Sequence, residues 1–175
     1  AVNGAPVLET ERLSLHEMDA SDIDVIAAQL DDPDVMRYFP RCYTRDEAFE
    51  WIERQLGRYA ADGYGYWILV EKATGLPVGQ AGVLSSEVEG VVEPGLGYIV
   101  QRASWRRGFA FEAASACARW AFEHVDAPRV ITLIRAENEP SLGVARKLGM
   151  VLQGPVPFRG YEHLLFALRR PEASA

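Results

Sequence analysis

Polar and apolar positions alternate from Leu8 to Leu15, and Arg12-Leu13-Ser14-Leu15 predicts a first strand. Ser21 is placed to cap a helix running to about Leu30, with Asp22 and Asp24 in the first turn, where the helix dipole favours carboxylates. Asp34 to Tyr38 predicts a short helical turn stopped by Pro40. Thr44-Arg45-Asp46-Glu47 is a capping-box pattern, and Phe49, Ile52, Leu56 and Tyr59 follow on one helical face. Tyr64 to Glu71 and Pro77 to Ser85 predict a hairpin turning at Thr74-Gly75, and Val91 to Val100 a further strand. An Ala-rich helix is expected from Arg107 to His124, then a buried strand at Val130 to Arg135. Pro140 to Leu148 predicts a helix ended by Gly149, and strands at Met150 to Leu152 and Tyr161 to Leu168 close the chain.

Hairpins followed by crossover helices imply an α/β or α+β domain, with a mixed sheet carrying helices on its faces rather than an all-parallel Rossmann sheet. With 175 residues, 49% of them apolar, the chain is read as one domain, 1–175, with loose ends at 1–6 and 171–175. No apolar run approaches the roughly 20 residues that span a bilayer, and the N-terminus lacks a secretory signal, so a cytoplasmic protein without a membrane partner is expected. Cys42 and Cys117 lie 75 residues apart without metal-type spacing, so no metal and no disulfide framework are expected.

The net charge of −7 is unevenly spread. Residues 1–100 hold 18 Asp and Glu against 7 Lys and Arg, whereas residues 101–175 hold 7 against 11. The basic half is too scattered for a nucleic-acid stripe. A small polyanion near Arg102, Arg106 and Arg107, with an amine received nearer the acidic half, fits the split, as does chance patchiness of surface charge.

The most informative stretch runs from Gly97 to Ala113, where a strand gives way through a short loop to a helix. A helix N-terminus presents unpaired N–H groups and a partial positive charge, and Gly108 and Ala110 keep its wall low. Arginines there oppose the dipole by about 0.3–1 kcal/mol each unless an anion sits among them. A second segment, Asn138-Glu139-Pro140-Ser141, opens the next helix, which ends in Lys147-Leu148-Gly149-Met150. Capping alone accounts for Asn138 or Ser141 taken in isolation.

Together these segments resemble the GNAT acetyltransferase superfamily, in particular its RimJ/RimL-like branch of N-acetyltransferases. Trp105-Arg106-Arg107-Gly108-Phe109-Ala110 stands in the register of the family's Q/R-x-x-G-x-G/A loop, and Glu112-Ala113 extends the branch's version of it. Asn138, Ser141, Val144 and Lys147-Leu148-Gly149-Met150 fall on the branch's N-x-x-S-x-x-V-x-x-K-L-G-F, while Thr10-Glu11-Arg12-Leu13-Ser14-Leu15 matches its opening T-E-R-L-x-L. His163-Leu164-Leu165-Phe166 is similar to its closing strand.

The resemblance implies a splayed, mostly antiparallel sheet of about seven strands holding acetyl-CoA in a V between 91–100 and 130–135. Backbone groups of Ile99, Val100 and Gln101 would pair with pantetheine. N–H groups from Arg106 to Ala110, through Arg107, Gly108 and Phe109, would hold the pyrophosphate. Arg102, Arg106 or Arg107 would reach phosphate oxygens, and Asn138, Ser141 and Lys147 would complete the cofactor side. Acetyl would pass directly to a primary amine, on a peptide N-terminus or a small molecule, in a monomer or homodimer. The Val100 N–H is the candidate for polarising the carbonyl. The family's usual phenol falls at Ala145 and its usual carboxylate at Gly95. Ser141 is then the nearest hydroxyl acid, or a plain cofactor contact, and Glu93 a base through water, or a solvated edge carboxylate. Tyr38, Phe39 and Tyr43 would wall the acceptor pocket or anchor their loop to the core. His163 and Cys117 read as structural. The two departures also admit a non-catalytic acyl-CoA sensor on the same fold. A nucleotide-binding P-loop lacks its Lys-Ser/Thr after Gly108.

Overall fold

The computed structural model describes residues 4–173 and is built on one eight-stranded sheet. Its strands are β1 (Leu8–Glu9), β2 (Leu13–His16), β3 (Tyr66–Glu71), β4 (Leu76–Val88), β5 (Val91–Val100), β6 (Arg129–Ile134), β7 (Val151–Phe158) and β8 (Tyr161–Arg169). They lie in the order β1-β2-β3-β4-β5-β6-β8-β7. Every neighbouring pair is antiparallel except β5 and β6, which run parallel and share a single registered pair, Gly95 with Ile131. The eighth strand comes from the short β1, folded back on β2. Residues 1–3 and 174–175, at the extremes of the expected loose ends, lie outside the described residues. Inside that N-terminal stretch, the Gly4 carbonyl meets His16 Nδ1 at 3.0 Å.

Helices cover both faces. All six residues of β3 are buried: Trp67 and Leu69 pack toward α3 (Phe109–His124) and α4 (Glu139–Lys147). Tyr66, Ile68 and Val70 pack toward α1 (Ile23–Asp31) and α2 (Arg45–Asp62). A strand covered on both sides needs no polar face, which is why Tyr66-Trp67-Ile68-Leu69-Val70 is continuous in apolar character.

Local chemistry sets the ends of the elements. Asp19, rather than Ser21, caps the entry to α1: its side chain accepts from the Ser21 N–H and that of Asp22 returns to the Asp19 N–H, in a 3₁₀ turn (Ala20–Asp22). Thr44 and Glu47 form the expected capping box on α2, and Gly63 ends that helix in the left-handed region. The buried face of α2 is Ala48, Trp51, Ile52 and Gln55, whereas Phe49 and Leu56 are exposed. Residues 33–38 form turns rather than a helix. β7 extends well beyond Leu152 despite Pro155 and Pro157, because it is the sheet's edge strand and its outward N–H positions need no partner.

Candidate functional site

Beyond Gly95 and Ile131 the parallel strands part, and the Thr132 hydroxyl, donating to the Leu96 carbonyl at 3.1 Å, is the last link between them. Strand parity decides which β5 groups face the gap. Gln101 N–H donates to the Val78 carbonyl of β4, so Ile99 and Gly97, two and four residues back, also face β4. Tyr98 and Val100 therefore aim their backbone groups into the fork. The Val100 carbonyl accepts from Trp105 Nε1 at 2.8 Å, and its N–H remains on the open edge. Among the three residues expected to offer backbone groups there, Val100 does so, while Ile99 and the Gln101 N–H are engaged with β4.

The loop after β5 passes through a 3₁₀ turn (Arg102–Ser104) and two left-handed residues, Arg106 at φ 62° and Gly108 at φ 78°. Gly108 is the N-cap of α3 and no side chain caps it, so the N–H groups of Phe109 and Ala110 have no intrahelical acceptor. Alternation with left-handed residues turns consecutive N–H groups toward one side, the geometry of an anion nest.

The three arginines of this loop are not equivalent. Arg102 pairs with Asp32 at 3.1 Å and Asp34 at 3.0 Å. Arg107 grips Glu71 through two hydrogen bonds of 2.8 and 3.0 Å and stacks over Phe109. That guanidinium holds the Glu71 carboxyl below the usual carboxylate range. Arg106 alone forms no ion pair among the described residues. Two of the charges that seemed to call for a polyanion are thus met by protein carboxylates contributed by the acidic half.

The opening motif and the loop motif are one assembly. Glu112, in the first turn of α3, accepts from the Thr10 hydroxyl at 2.6 Å, the Arg12 N–H at 3.0 Å and Arg12 Nε at 2.8 Å. Burial pushes this carboxyl up, but those donors and the Arg12 charge outweigh it and leave it lowered.

A cavity runs through the fork. Gly95, Leu96, Gly97 and Tyr98 line one side, and Ile131 to Arg135 with Asn138 and Ser141 the other. Asn138 Oδ1 accepts from the Ser141 N–H at 3.2 Å, capping α4, and the Tyr98 phenol, raised by burial, meets the Ser141 hydroxyl. The family's missing phenol position, Ala145, is packed in the core. Lys147, at the far end of α4, rests 4.2 Å above the Phe111 ring.

The remaining wall of the cavity comes from α2, the segment before it, the ends of β3 and β4, and the β7–β8 hairpin. Tyr38, Phe39 and Tyr43 all line it, joined by Trp51, Tyr66, Phe158, Tyr161 and His163. Trp51 is fixed by its Nε1 donating to Gln80 at 2.8 Å and by ring contacts with Tyr43 and Tyr66. Burial pushes the Tyr66 phenol up to about 12, and a Cβ at Gly97 would meet its hydroxyl at 2.5 Å.

Glu93 lies outside this cavity, gripping Arg129 through two hydrogen bonds of 2.6 and 2.9 Å on the closed side of the fork. The cavity wall contains no Asp or Glu but four arginines: Arg54, Arg58, Arg135 and Arg159. The wall therefore offers no carboxylate to an amine, and two of its arginines, Arg54 and Arg58, come from the acidic half itself. The first half spends some of its carboxylates on caps (Asp19, Asp22, Glu47) and on Arg45, Arg102 and Arg107. Cys117 is fully buried, which pushes its thiol up to about 12, in keeping with a core position. Among the described residues no group of three or more His, Cys, Asp and Glu is placed to hold a metal, and no helix is long and apolar enough to cross a membrane.

Sequence reasoning missed the α2 stripe Trp51, Arg54, Gln55 and Arg58. Its signal was present: an indole, an amide and two arginines on one helical face, where a plain core face would be apolar.

Residues 12–151 match the family described as "Acetyltransferase (GNAT) domain". The chain is 31% identical over 150 residues to the uncharacterized protein YkkB of Bacillus subtilis, covering 85% of this chain and 87% of that one. It superposes on an acetyltransferase from Agrobacterium tumefaciens with a TM-score of 0.83 at 25% identity, covering 95% of each chain. A putative ribosomal-protein-serine acetyltransferase from Vibrio cholerae shares the fold, with a TM-score of 0.77 at 20% identity over 95% of this chain and 99% of that one. The forked sheet and the uncapped glycine loop beside it accord with these likenesses: the chain belongs to the GNAT acetyltransferase family and is an acetyltransferase.

Proposed function

We propose that the protein transfers acetyl from acetyl-CoA directly onto a primary amine, of a small molecule or a peptide N-terminus. The observation that carries this reading is the conjunction of an open β5 edge with an uncapped helix N-terminus at the end of the same strand. The residues fit the cofactor. Gln101 Oε1 is a buried acceptor without a donor, and it calls for the kind of N–H that a pantetheine amide brings. Tyr98 and Val100 offer backbone groups to the same ligand, and Phe109 and Ala110 offer N–H groups to its phosphates, with Arg106 free to join them. Arg102 and Arg107 would have to release their carboxylates to do so. Asn138, Ser141 and, through Phe111, Lys147 border the other side.

Acetyl-CoA supplies an activated thioester, and the protein's residues orient and protonate. The Val100 N–H is the donor placed to polarise a carbonyl in the fork. The Tyr98 phenol, kept protonated by burial that outweighs the opposing effect of the Ser141 hydroxyl, is the acid facing a leaving thiolate. His163 is the one carboxylate or imidazole among the cavity-lining residues. With Nδ1 at 3.1 Å from the Tyr161 carbonyl, its Nε2 is left as the acceptor for an ammonium proton.

Calorimetric titration with acetyl-CoA, then thiol-release assays across a panel of amines and peptides, tests the reading. Binding with thiol release is expected. Absence of acetyl-CoA binding defeats it. Binding without release from any amine favours the sensor, which the core position of Ala145 would suit.

A further inference from the structure

We infer that the acceptor is a small amine that itself carries an oxyanion, a carboxylate or a phosphate, held by Arg58 with Arg54 and Arg159. This rests on the reading above that the cavity receives the acceptor. The geometry is a basic cluster with no ion-paired carboxylate, Arg58 half-buried and Arg54 and Arg159 exposed at the cavity's rim. Trp51, Arg54, Gln55 and Arg58 occupy one stripe of α2, and Arg159 reaches the same cavity from the β7–β8 turn. None of these three arginines forms a salt bridge among the described residues, although most other arginines of the chain do. Burial and repulsion from Arg159 and Arg54 both lower the Arg58 pKa, so the charged form is held at a cost that an anion would offset.

A second observation points the same way. Gln55 is fully buried and lines the cavity, and its Oε1 accepts from the Tyr66 N–H at 3.0 Å and from Arg58 Nη1 at 3.2 Å. Those two donors fix the amide orientation, and they leave Nε2 a buried donor with no acceptor. An oxyanion held at Arg58 brings acceptors to the immediate neighbourhood of that amide. A cationic amine such as a polyamine would meet arginines there and no carboxylate. The aromatic wall suits the carbon skeleton of the acceptor, with the Tyr66 hydroxyl close over Gly97 in the same cavity.

The test uses amines paired so that only the oxyanion differs: each of the common amino acids against its methyl ester, and phosphoethanolamine against ethanolamine, with spermidine as the cationic control. Each is titrated onto the CoA-loaded protein and assayed for thiol release. The acidic member of at least one pair is expected to bind and turn over at least tenfold better, a difference of about 1.4 kcal/mol. Arg58→Gln should erase that preference by raising KM with little change in kcat, and Arg159→Gln, at an exposed turn, should weaken it. Equal or better use of esters, ethanolamine or spermidine, or a preference that survives Arg58→Gln, overturns the inference while leaving acetyl transfer intact. The binding arm decides even if no thiol is released: selective binding of an acidic member supports the inference, and its absence overturns it. A peptide preferred over all small amino acids also overturns it.

Discussion

Replacing Gly108 by valine separates the loop's contribution to binding from its contribution to folding. Gly108 sits at φ 78°, where an L side chain is strained by roughly 1–2 kcal/mol. Steric crowding adds little, because the nearest atom to an added Cβ is Arg12 Nη2 at 3.4 Å, the tip of a flexible side chain. The midpoint of thermal unfolding should therefore fall by roughly 2–8 °C for a chain of this size. Relief of the strain rotates the peptide that opens α3 and turns the Phe109 and Ala110 N–H groups away from their common side. Each hydrogen bond to a charged group contributes about 1.5–3 kcal/mol, so losing both weakens acetyl-CoA binding about 10²- to 10⁴-fold. Gly57→Ala is the control: it lies inside α2 with open space around it, and should raise stability by about 0.5–1 kcal/mol without touching affinity. Calorimetry with acetyl-CoA beside thermal melts reads both effects. A Gly108→Val protein that melts within the expected range yet binds acetyl-CoA within threefold of wild type would refute the assignment of this loop as the anion cradle.

Two further outcomes follow from the same geometry. Glu112→Ala strands the Arg12 N–H and the Thr10 hydroxyl, which should cost about 1–3 kcal/mol, or roughly 2–12 °C. The Arg12 guanidinium, 40% exposed, adds little to that figure. Because the Glu71 and Glu112 carboxyls are lowered on folding, their stabilisation is complete above the ordinary carboxylate range and is lost as pH falls through the lowered folded values. Glu112→Gln should flatten that acid limb, and an unchanged limb in acid titrations followed by circular dichroism would count against the bridge. Tyr98→Phe should lower kcat about 10²-fold with KM nearly constant, as steady-state kinetics would show, whereas an unchanged kcat would remove the phenol from proton transfer.

The chain's own chemistry was sufficient for several elements decided locally, although it placed the α1 cap at Ser21 where Asp19 takes it. The Thr44 capping box, the Gly149 stop and the Ala-rich α3 opening at Gly108 are properties of a few neighbouring residues, and each is legible in order. The glycine loop and the Asn138–Ser141 cap were legible for the same reason. Tertiary structure decided what depends on distant partners. Whether Arg102 and Arg107 wait for a phosphate or already hold a carboxylate depends on Asp32, Asp34 and Glu71, which lie 36 to 70 positions away and are brought near only by the sheet. Glu93 is removed from the cavity by Arg129, which stands beside it only because β6 joins β5 before the strands part. The basic end of the cavity has a local signature only in its α2 half, Arg54 and Arg58 on one helical face; that Arg159 of the β7–β8 turn joins them is decided by the fold. Local pattern fixes backbone shape through short-range sterics and hydrogen bonds, whereas the sign of charge in a pocket is a sum over residues whose proximity the fold creates.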